Sequence, residues 1–388
     1  MKRNQMAIFF LIVLTVYFLT NFYLFLKGYR IFEPGSRERL LYTISFVLLA
    51  STFIAAKFLE RSHSSVFTDV LNVIGGFWMG FMLYATLLFL LSDIIRPIGR
   101  LTGIIQPGSI PLYNTWTWYI TVFISFLFIA GGFINAVIPV VKRYDISIEK
   151  DAGSIKEFRI AAVSDIHLGS IIRKRSVRKL SGMLNDLKPD AVFLLGDIVD
   201  GEIGPVLRGD LLKYFDIPRS TDGLLAITGN HEFIGGAART IPYIESHGIR
   251  ILKDEMVTLE GEIQIIGRID RDGTRFKGGG RAPLDSLVAL ADKNKPIILL
   301  DHQPFNLADT EKNGIDLQLS GHTHHGQMWP LNYLTDMIYE VSYGYLRKGK
   351  SQIIVSSGYG LWGPRIRSGS RSEVLLINIR FTGAGRSD

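Results

Sequence analysis

Five short stretches of this 388-residue chain combine carboxylate, imidazole and amide side chains at spacings that suit metal ions. In Val163-Ser164-Asp165-Ile166-His167, an Asp and a His two residues apart follow an apolar run, so both can turn toward one cation at a strand end. Leu194-Leu195-Gly196-Asp197 repeats the arrangement: the glycine permits a tight turn and the carboxylate can bridge two ions. Thr228-Gly229-Asn230-His231-Glu232 adds an amide oxygen. Leu300-Asp301-His302-Gln303 and Gly321-His322-Thr323-His324-His325 contribute imidazoles. Any one of these alone is a commonplace of surface loops or satisfied core histidines. Five in order, each closing an apolar run, form a ligand set, and its mixed donors suit Mn, Fe or Zn better than all-oxygen Ca or Mg sites. Two such cations close together would activate water and neutralise phosphoryl oxygens during in-line attack. The chain has no cysteine, no Gly-x-Ser-x-Gly elbow and no Gly-x4-Gly-Lys-Ser/Thr loop, which disfavours covalent thiol or serine catalysis and an NTPase motor.

These motifs need elements to hold them. Apolar β-type runs at Phe158–Val163, Ala191–Leu195, Leu224–Thr228, Ile297–Leu300, Leu317–Leu319, Gln352–Val355 and Val374–Ile379 read as strands. Helical periodicity over Ser176–Leu187, stopped by Pro189, predicts helices between the earlier ones, hence sheets flanked by helices. Ahead of them lie four apolar runs, about 6–26, 40–59, 70–91 and 118–141, each near the ~20 residues that span a bilayer core. The first follows Lys2 and Arg3 but is too long for a cleaved h-region and has no small-x-small site, so it reads as a retained span. Gly75, Gly76 and Gly80, and Gly131 and Gly132, would let helices approach closely. No span carries Lys, Arg or Glu away from its ends, which favours an anchor or substrate platform over a transporter. The predicted organisation is a transmembrane region over 1–143, a linker and first strand over 144–156, a catalytic domain over 157–380 and a tail over 381–388. The net charge of +7 suits a membrane surface, because many Lys and Arg flank the apolar runs; nucleic acid is disfavoured as a partner. Orientation is balanced, with six Lys or Arg on each side of a four-span arrangement. The lack of a cleavable or twin-Arg signal points the catalytic domain to the cytoplasmic face of the inner membrane.

The ordered series Asp165-x-His167, Gly196-Asp197, Gly229-Asn230-His231-Glu232, His302 and Gly321-His322-x-His324 resembles the signature of the calcineurin-like metallophosphoesterases, over roughly residues 157–380. The tail Val355-Ser356-Ser357-Gly358-Tyr359-Gly360, with Gly363-Pro364-Arg365 and Arg371-Ser372-Glu373, is similar to a bacterial membrane-associated branch that includes UDP-2,3-diacylglucosamine pyrophosphatases and related phosphodiesterases. The resemblance implies a four-layer α/β/β/α domain of two packed mixed sheets and a dinuclear centre. Asp165, His167 and His324 would hold one ion, Asn230, His302 and His322 the second, and Asp197 would bridge them. His231 would act beside the metals as a leaving-group acid or phosphate-binding cation, oriented by an Asp or Glu that the spacing does not identify. Glu232 fits the motif without a ligand role. Arg365 and His325 are candidate substrate contacts, and Arg268, Arg271, Arg275, Lys277 and Arg281 surround the loop Gly278–Gly280. The segment Trp329–Leu334 with Met337, Ile338, Tyr339, Tyr343 and Tyr345 mixes aromatic and aliphatic groups that could meet a bilayer interface or an acyl chain. The activity implied is hydrolysis of a phosphoester or pyrophosphate by metal-activated water on a lipid-linked substrate, UDP-2,3-diacylglucosamine-like in its narrower form. The alternatives are a non-catalytic metal-binding membrane sensor or scaffold, and a phosphodiesterase acting on soluble nucleotides.

Overall fold

The computed structural model describes residues 3–62, 64–217, 223–273 and 280–383. Its contacts divide the chain into two units, one containing residues up to Phe133 together with Gly363–Ile366, the other running from Ile134 to Trp362 and resuming at Arg367.

The first unit is built from four long helices, α1 (Arg3–Tyr29), α2 (Arg37–Ser62), α3 (Val66–Leu101) and α4 (Ile110–Val137), the last of which carries on into the second unit. All four are long and apolar enough to cross a membrane. Most of their large side chains point outward: Leu11, Phe18, Phe58 and Phe126 are each more than 60% exposed. Such helices need an apolar surrounding. Ser65 and Thr68 cap α3 reciprocally. At Gly75 a β-carbon would press on the Phe53 backbone, so the missing side chain lets α2 and α3 close on each other. Inside, Trp78 meets Phe46 edge-on with centroids 5.0 Å apart and donates to Asn21 Oδ1 at 2.9 Å. Helix α3 runs ten residues beyond the apolar stretch that marks it in the sequence. Asp93 therefore lies within a helix, paired with Lys27 and accepting from the Tyr23 hydroxyl at 2.7 Å.

In the second unit, β1 (Val140–Ile148), β2 (Glu157–Val163), β3 (Ala191–Leu195), β4 (Leu224–Ile227), β5 (Arg250–Ile251) and β12 (Glu373–Phe381) form one sheet in the order β1-β12-β2-β3-β4-β5. The other sheet contains β6 (Glu255–Leu259), β7 (Ile263–Gly267), β8 (Ile297–Leu300), β9 (Leu317–Ser320), β10 (Gly344–Lys348) and β11 (Ser351–Val355), ordered β10-β11-β9-β8-β7-β6. Both are mixed: β2, β3, β4 and β5 run parallel, as do β7, β8, β9 and β11, while β12, β6 and β10 pair antiparallel with β2, β7 and β11.

The alternation of side chains along the strands builds the layers. Ile160, Phe193, Leu195 and Ile227 meet Ile265, Ile298, Leu300 and Leu319 between the sheets. Ala161, Val163, Val192 and Leu194 face the other way, onto Leu180 and Leu184 of helix α5 (Lys174–Leu187) and Ile241 and Ile244 of the helix Ala237–Ser246. Ile266 and Leu299 meet Leu284, Leu287 and Val288 outside the second sheet. Strands covered on both faces are mostly apolar: β3 and β8 are wholly so, and β9, equally without an exposed residue, buries Gln318 on Thr310 and Ser320. The result is the expected pair of mixed sheets flanked by helices. Residues 140–141, read in the sequence as the end of the fourth apolar run, instead open β1, which pairs parallel with β12 from Val140 opposite Glu373.

Candidate metal centre

Each motif begins where a buried strand ends. Asp165 and His167 follow β2, Asp197 follows β3, Asn230 and His231 open a short helix after β4, His302 follows β8, and His322 and His324 follow β9. Because β2, β3 and β4 are neighbours in one sheet and β8 and β9 in the other, their carboxyl ends bring distant residues together.

The two carboxylates are held in the same way, one oxygen anchored and the other turned inward. Asp165 Oδ2 accepts from Ser164 Oγ at 2.5 Å and from the His322 N–H at 3.0 Å. Its Oδ1 is buried without a hydrogen-bond partner, 3.4 Å from His324 Nε2 and 3.8 Å from His167 Nε2. Asp197 Oδ1 accepts from the His231 N–H at 2.8 Å. Its Oδ2 lies 3.2 Å from His302 Nε2 and 3.8 Å from His167 Nε2. The ring nitrogens His167 Nε2 and His324 Nε2 face one another at 3.1 Å, and His322 Nδ1 lies 2.9 Å from Asn230 Oδ1. His302 Nε2 has no hydrogen-bond partner, while its Nδ1 lies 2.6 Å from the Leu195 carbonyl; the carbonyl can only accept, so Nδ1 carries a proton and Nε2 is the nitrogen turned toward the centre.

Asp165 Oδ1 and His302 Nε2 are buried without hydrogen-bond partners, which is costly unless a cation stands beside them. Asp165, His167 and His324 converge closely enough to hold one ion, and Asp197, His302 and His322 do the same for another, with Asn230 beside them. The residues present therefore fit a pair of metal ions in donor type and in placement.

The electrostatics agree. Burial opposes ionisation of Asp165 and Asp197, but the neighbouring imidazoles, His324 then His302 for Asp165 and His302 then His231 for Asp197, hold both carboxyls below the usual range. Burial and the nearby His302 push His322 down to about 4, and burial holds His324 well below its ordinary value. Carboxylates and neutral imidazoles are the protonation states that ligation requires; His302 departs from them, since burial opposes its charge but the facing Asp197 carboxylate raises it well above its ordinary value.

His231 behaves differently. Burial works against its charge, yet Asp197 and Asp200 lift it to about 9. Its Nδ1 is 3.1 Å from Asp200 Oδ1, and its ring stands edge-on to His167 with centroids 4.6 Å apart. The same Asp200 oxygen is 3.5 Å from His167 Nδ1. Asp200 is thus the orienting carboxylate that the sequence leaves unnamed; its only signal is a position three residues after Asp197. Glu232 also has a task. Its fully buried carboxylate accepts from the N–H groups of Asp197 (3.0 Å), Val199 (3.0 Å) and Gly229 (2.7 Å), clipping the loop after β3 to the loop after β4.

The remaining candidates are placed as follows. His325 Nδ1 lies 2.9 Å from Ser342 Oγ and 3.7 Å from Asp336. Arg365 belongs to the helical unit, where its guanidinium lies over the Phe133 ring. Arg281 and Arg268 pair with the buried Asp301, and Arg271 lies over Phe305. Arg275, Lys277, Gly278 and Gly279 fall outside the described residues, as does the tail beyond 383. Of the aromatic segment, Trp329, Tyr333, Leu334, Met337 and Ile338 are exposed, and Tyr343 donates to Glu373 at 3.0 Å.

Residues 158–326 match the family model described as calcineurin-like phosphoesterase. An uncharacterized metallophosphoesterase of Aquifex aeolicus is 33% identical over 267 residues, 67% of this chain and 99% of that protein. The chain belongs to the calcineurin-like metallophosphoesterases. A Helicobacter pylori metallophosphoesterase is also 33% identical, over 243 residues covering 62% of this chain, and the match spans 64% of the relative's length. A zebrafish transmembrane protein with metallophosphoesterase domain is 30% identical over 262 residues, 64% of this chain and 59% of that protein. Members of the family bind divalent metal ions, in keeping with the donor groups gathered here.

Proposed function

We propose that this metallophosphoesterase is a membrane-anchored hydrolase that cleaves a phosphoester or pyrophosphate bond in a lipid-linked substrate. Asp165, His167 and His324 would hold one metal ion, Asn230, His302 and His322 a second, and Asp197 would bridge them. The observation that carries the reading is the inward oxygen on each carboxylate, Asp165 Oδ1 and Asp197 Oδ2, set among converging imidazole nitrogens. The four apolar helices of the same chain favour a substrate that resides in a bilayer.

Bound ions would supply Lewis acidity toward the phosphoryl oxygens and toward water. The chain's own residues do the rest. Asp200 holds the His231 ring, and with Asp197 keeps it cationic at neutral pH, so that it can bind a phosphoryl oxygen or pass a proton to the departing oxygen. The Leu195 carbonyl orients His302 through its second nitrogen, and Asp200 Oδ1 lies 3.5 Å from the second nitrogen of His167. A UDP-2,3-diacylglucosamine-like substrate and a cytoplasmic catalytic domain at the inner membrane are the narrower form of the proposal. The purified protein should hydrolyse an aryl phosphate ester only with added Mn, Zn or a similar ion, and the Asp197→Ala variant should not. Equal activity in that variant would end the dinuclear mechanism. Mass spectrometry of lipid extracts before and after incubation tests the substrate class, and release of UMP from UDP-2,3-diacylglucosamine tests its narrower form.

A further inference from the structure

Arg367 is the largest fully buried side chain among the described residues, with an exposure of 0%. No carboxylate among those residues pairs with it. Its Nη1 donates to Ser370 Oγ at 2.8 Å and to the Arg371 carbonyl at 3.3 Å, and its Nη2 donates to the Gly360 carbonyl at 2.7 Å. The remaining partner of Nη2 is His324 Nδ1, at 3.2 Å. A guanidinium has donors only, so His324 Nδ1 must accept.

That is the reverse of the usual support for a metal-binding imidazole, whose second nitrogen gives its proton to a carboxylate or carbonyl. His302 follows the usual pattern, donating from Nδ1 to Leu195 O at 2.6 Å. With Nδ1 accepting, the proton of the neutral His324 ring lies on Nε2, the nitrogen that faces Asp165 Oδ1. To coordinate through Nε2, the ring must move that proton to Nδ1 and so give up its bond to Arg367. His302 already carries its Nδ1 proton on the Leu195 carbonyl, so ligation by His324 is the less favourable of the two.

We infer that Arg367 makes the two cation positions unequal: the group Asp165–His167–His324 holds its ion more weakly than the group around Asp197, His302 and His322, and Arg367 is the positioning residue responsible. This rests on the dinuclear reading above. Unequal affinity would leave one ion resident and the other exchangeable.

The test uses the full chain in detergent, stripped of metal and titrated with Mn²⁺ alone. Binding is followed by calorimetry, and electron paramagnetic resonance separates isolated from spin-coupled Mn²⁺. Two binding steps separated by about tenfold or more are expected, the scale of effects from groups that support metal ligands. His324→Ala should abolish the weaker step and leave the tighter one, whereas His302→Ala should weaken the tighter one. Arg367→Met should narrow the gap by strengthening the weaker step. Should Arg367→Met not fold, the wild-type and histidine titrations still decide. Two equal steps, or loss of the weaker step on His302→Ala rather than His324→Ala, would overturn the inference while leaving the dinuclear centre intact. Absence of any stoichiometric Mn²⁺ binding would instead remove the centre itself.

Discussion

Glu232 is not expected to touch a metal ion, yet its replacement should be felt throughout the centre. Its carboxylate accepts three backbone N–H groups, from Asp197 and Gly229 on one oxygen and from Val199 on the other, and it is fully buried. In Glu232→Gln one of those oxygens becomes an amide NH2, which faces a donor with another donor. If the amide nitrogen turns toward Val199, one charge-assisted bond is lost, one N–H is left buried and unpaired, and the two surviving bonds become neutral. A charge-assisted bond contributes about 1.5–3 kcal/mol and an orphaned buried donor costs about 1–3 kcal/mol; allowing for overlap between the two, the net loss is roughly 2–4 kcal/mol. For a domain of this size that is a fall in melting temperature on the order of 10 °C. The assay is thermal unfolding of the detergent-solubilised protein, following the transition that rises on addition of Mn²⁺, with elemental analysis of bound metal alongside. Glu232→Ala, which strands all three donors, should fall further, and both variants should retain less metal because Asp197 and Asn230 sit on the two loops being clipped. A Glu232→Gln protein that melts within about 1 °C of the parent and keeps its full metal would refute the assignment of Glu232 as the clip.

Further outcomes follow from the same geometry. His231, lifted from its ordinary value to about 9, should impose a loss of kcat above pH 9 on substrates with a poor leaving group, and its contribution to stability, fully present below pH 6.5, should likewise be lost as pH rises through 9. His231→Ala should lower hydrolysis of an alkyl phosphodiester by roughly 10²–10⁴-fold and remove that alkaline limb, while affecting an aryl ester far less; identical losses on both esters would argue against proton delivery. Gly321→Ala should destroy metal binding, because its β-carbon would fall on Ser164 Oγ beside Asp165. Gly182→Ala in α5, with open space around it, should instead stabilise by about 0.5–1 kcal/mol, and elemental analysis and melting of the pair check both.

The ligands were legible because each is announced locally. An apolar run buried on both faces ends, a glycine or small residue turns the chain, and a donor follows within two or three residues, as at Val163 to Asp165, Leu195 to Asp197 and Leu319 to His322. Supporting residues carry no such announcement. Asp200 lies in a loop whose path is set by the Glu232 clip, so its meeting with His231 depends on a contact 33 residues along the chain, from Val199 to Glu232. Arg367 reaches a ring 43 residues earlier in sequence, and nothing around it distinguishes a buried guanidinium from the solvated Arg371 nearby. Strand β1 starts four residues earlier than the first strand expected over 144–156, for a different reason. Val140 and Val141 continue the apolar character of α4, and Lys142 and Arg143 then look like a membrane flank, although the register with β12 makes them successive positions of an edge strand. The extension of α3 past Leu91 was hidden by Asp93, Arg96 and Pro97, which read as an end when their helical partners are unseen.

One property of the centre explains why it sits on sheets and not on helices. Asp165, His167, Asp197, His322 and His324 all have positive φ, between 48° and 72°, a region that costs a non-glycine residue roughly 1–2 kcal/mol. Five such residues together approach the entire net stability of an ordinary domain. A helix could not absorb them, since one left-handed residue ends it. A strand held on both faces can, because the turn begins only after the ladder has fixed the chain. Here β3 and β9 are wholly buried and β2 is buried from Ile160 to its end, and hydrogen bonds from Asp165 N to Gly196 O (3.1 Å) and from His167 N to Asp197 O (2.9 Å) lock the strained segments to each other. Strain distributed in this way aims adjacent side chains in directions that regular backbone would not allow, so that two residues separated by one in sequence face the same point. Ions binding there would meet donors already facing one another, and the energy of ligation would then act against lone-pair repulsion and backbone strain rather than against the entropy of gathering five loops.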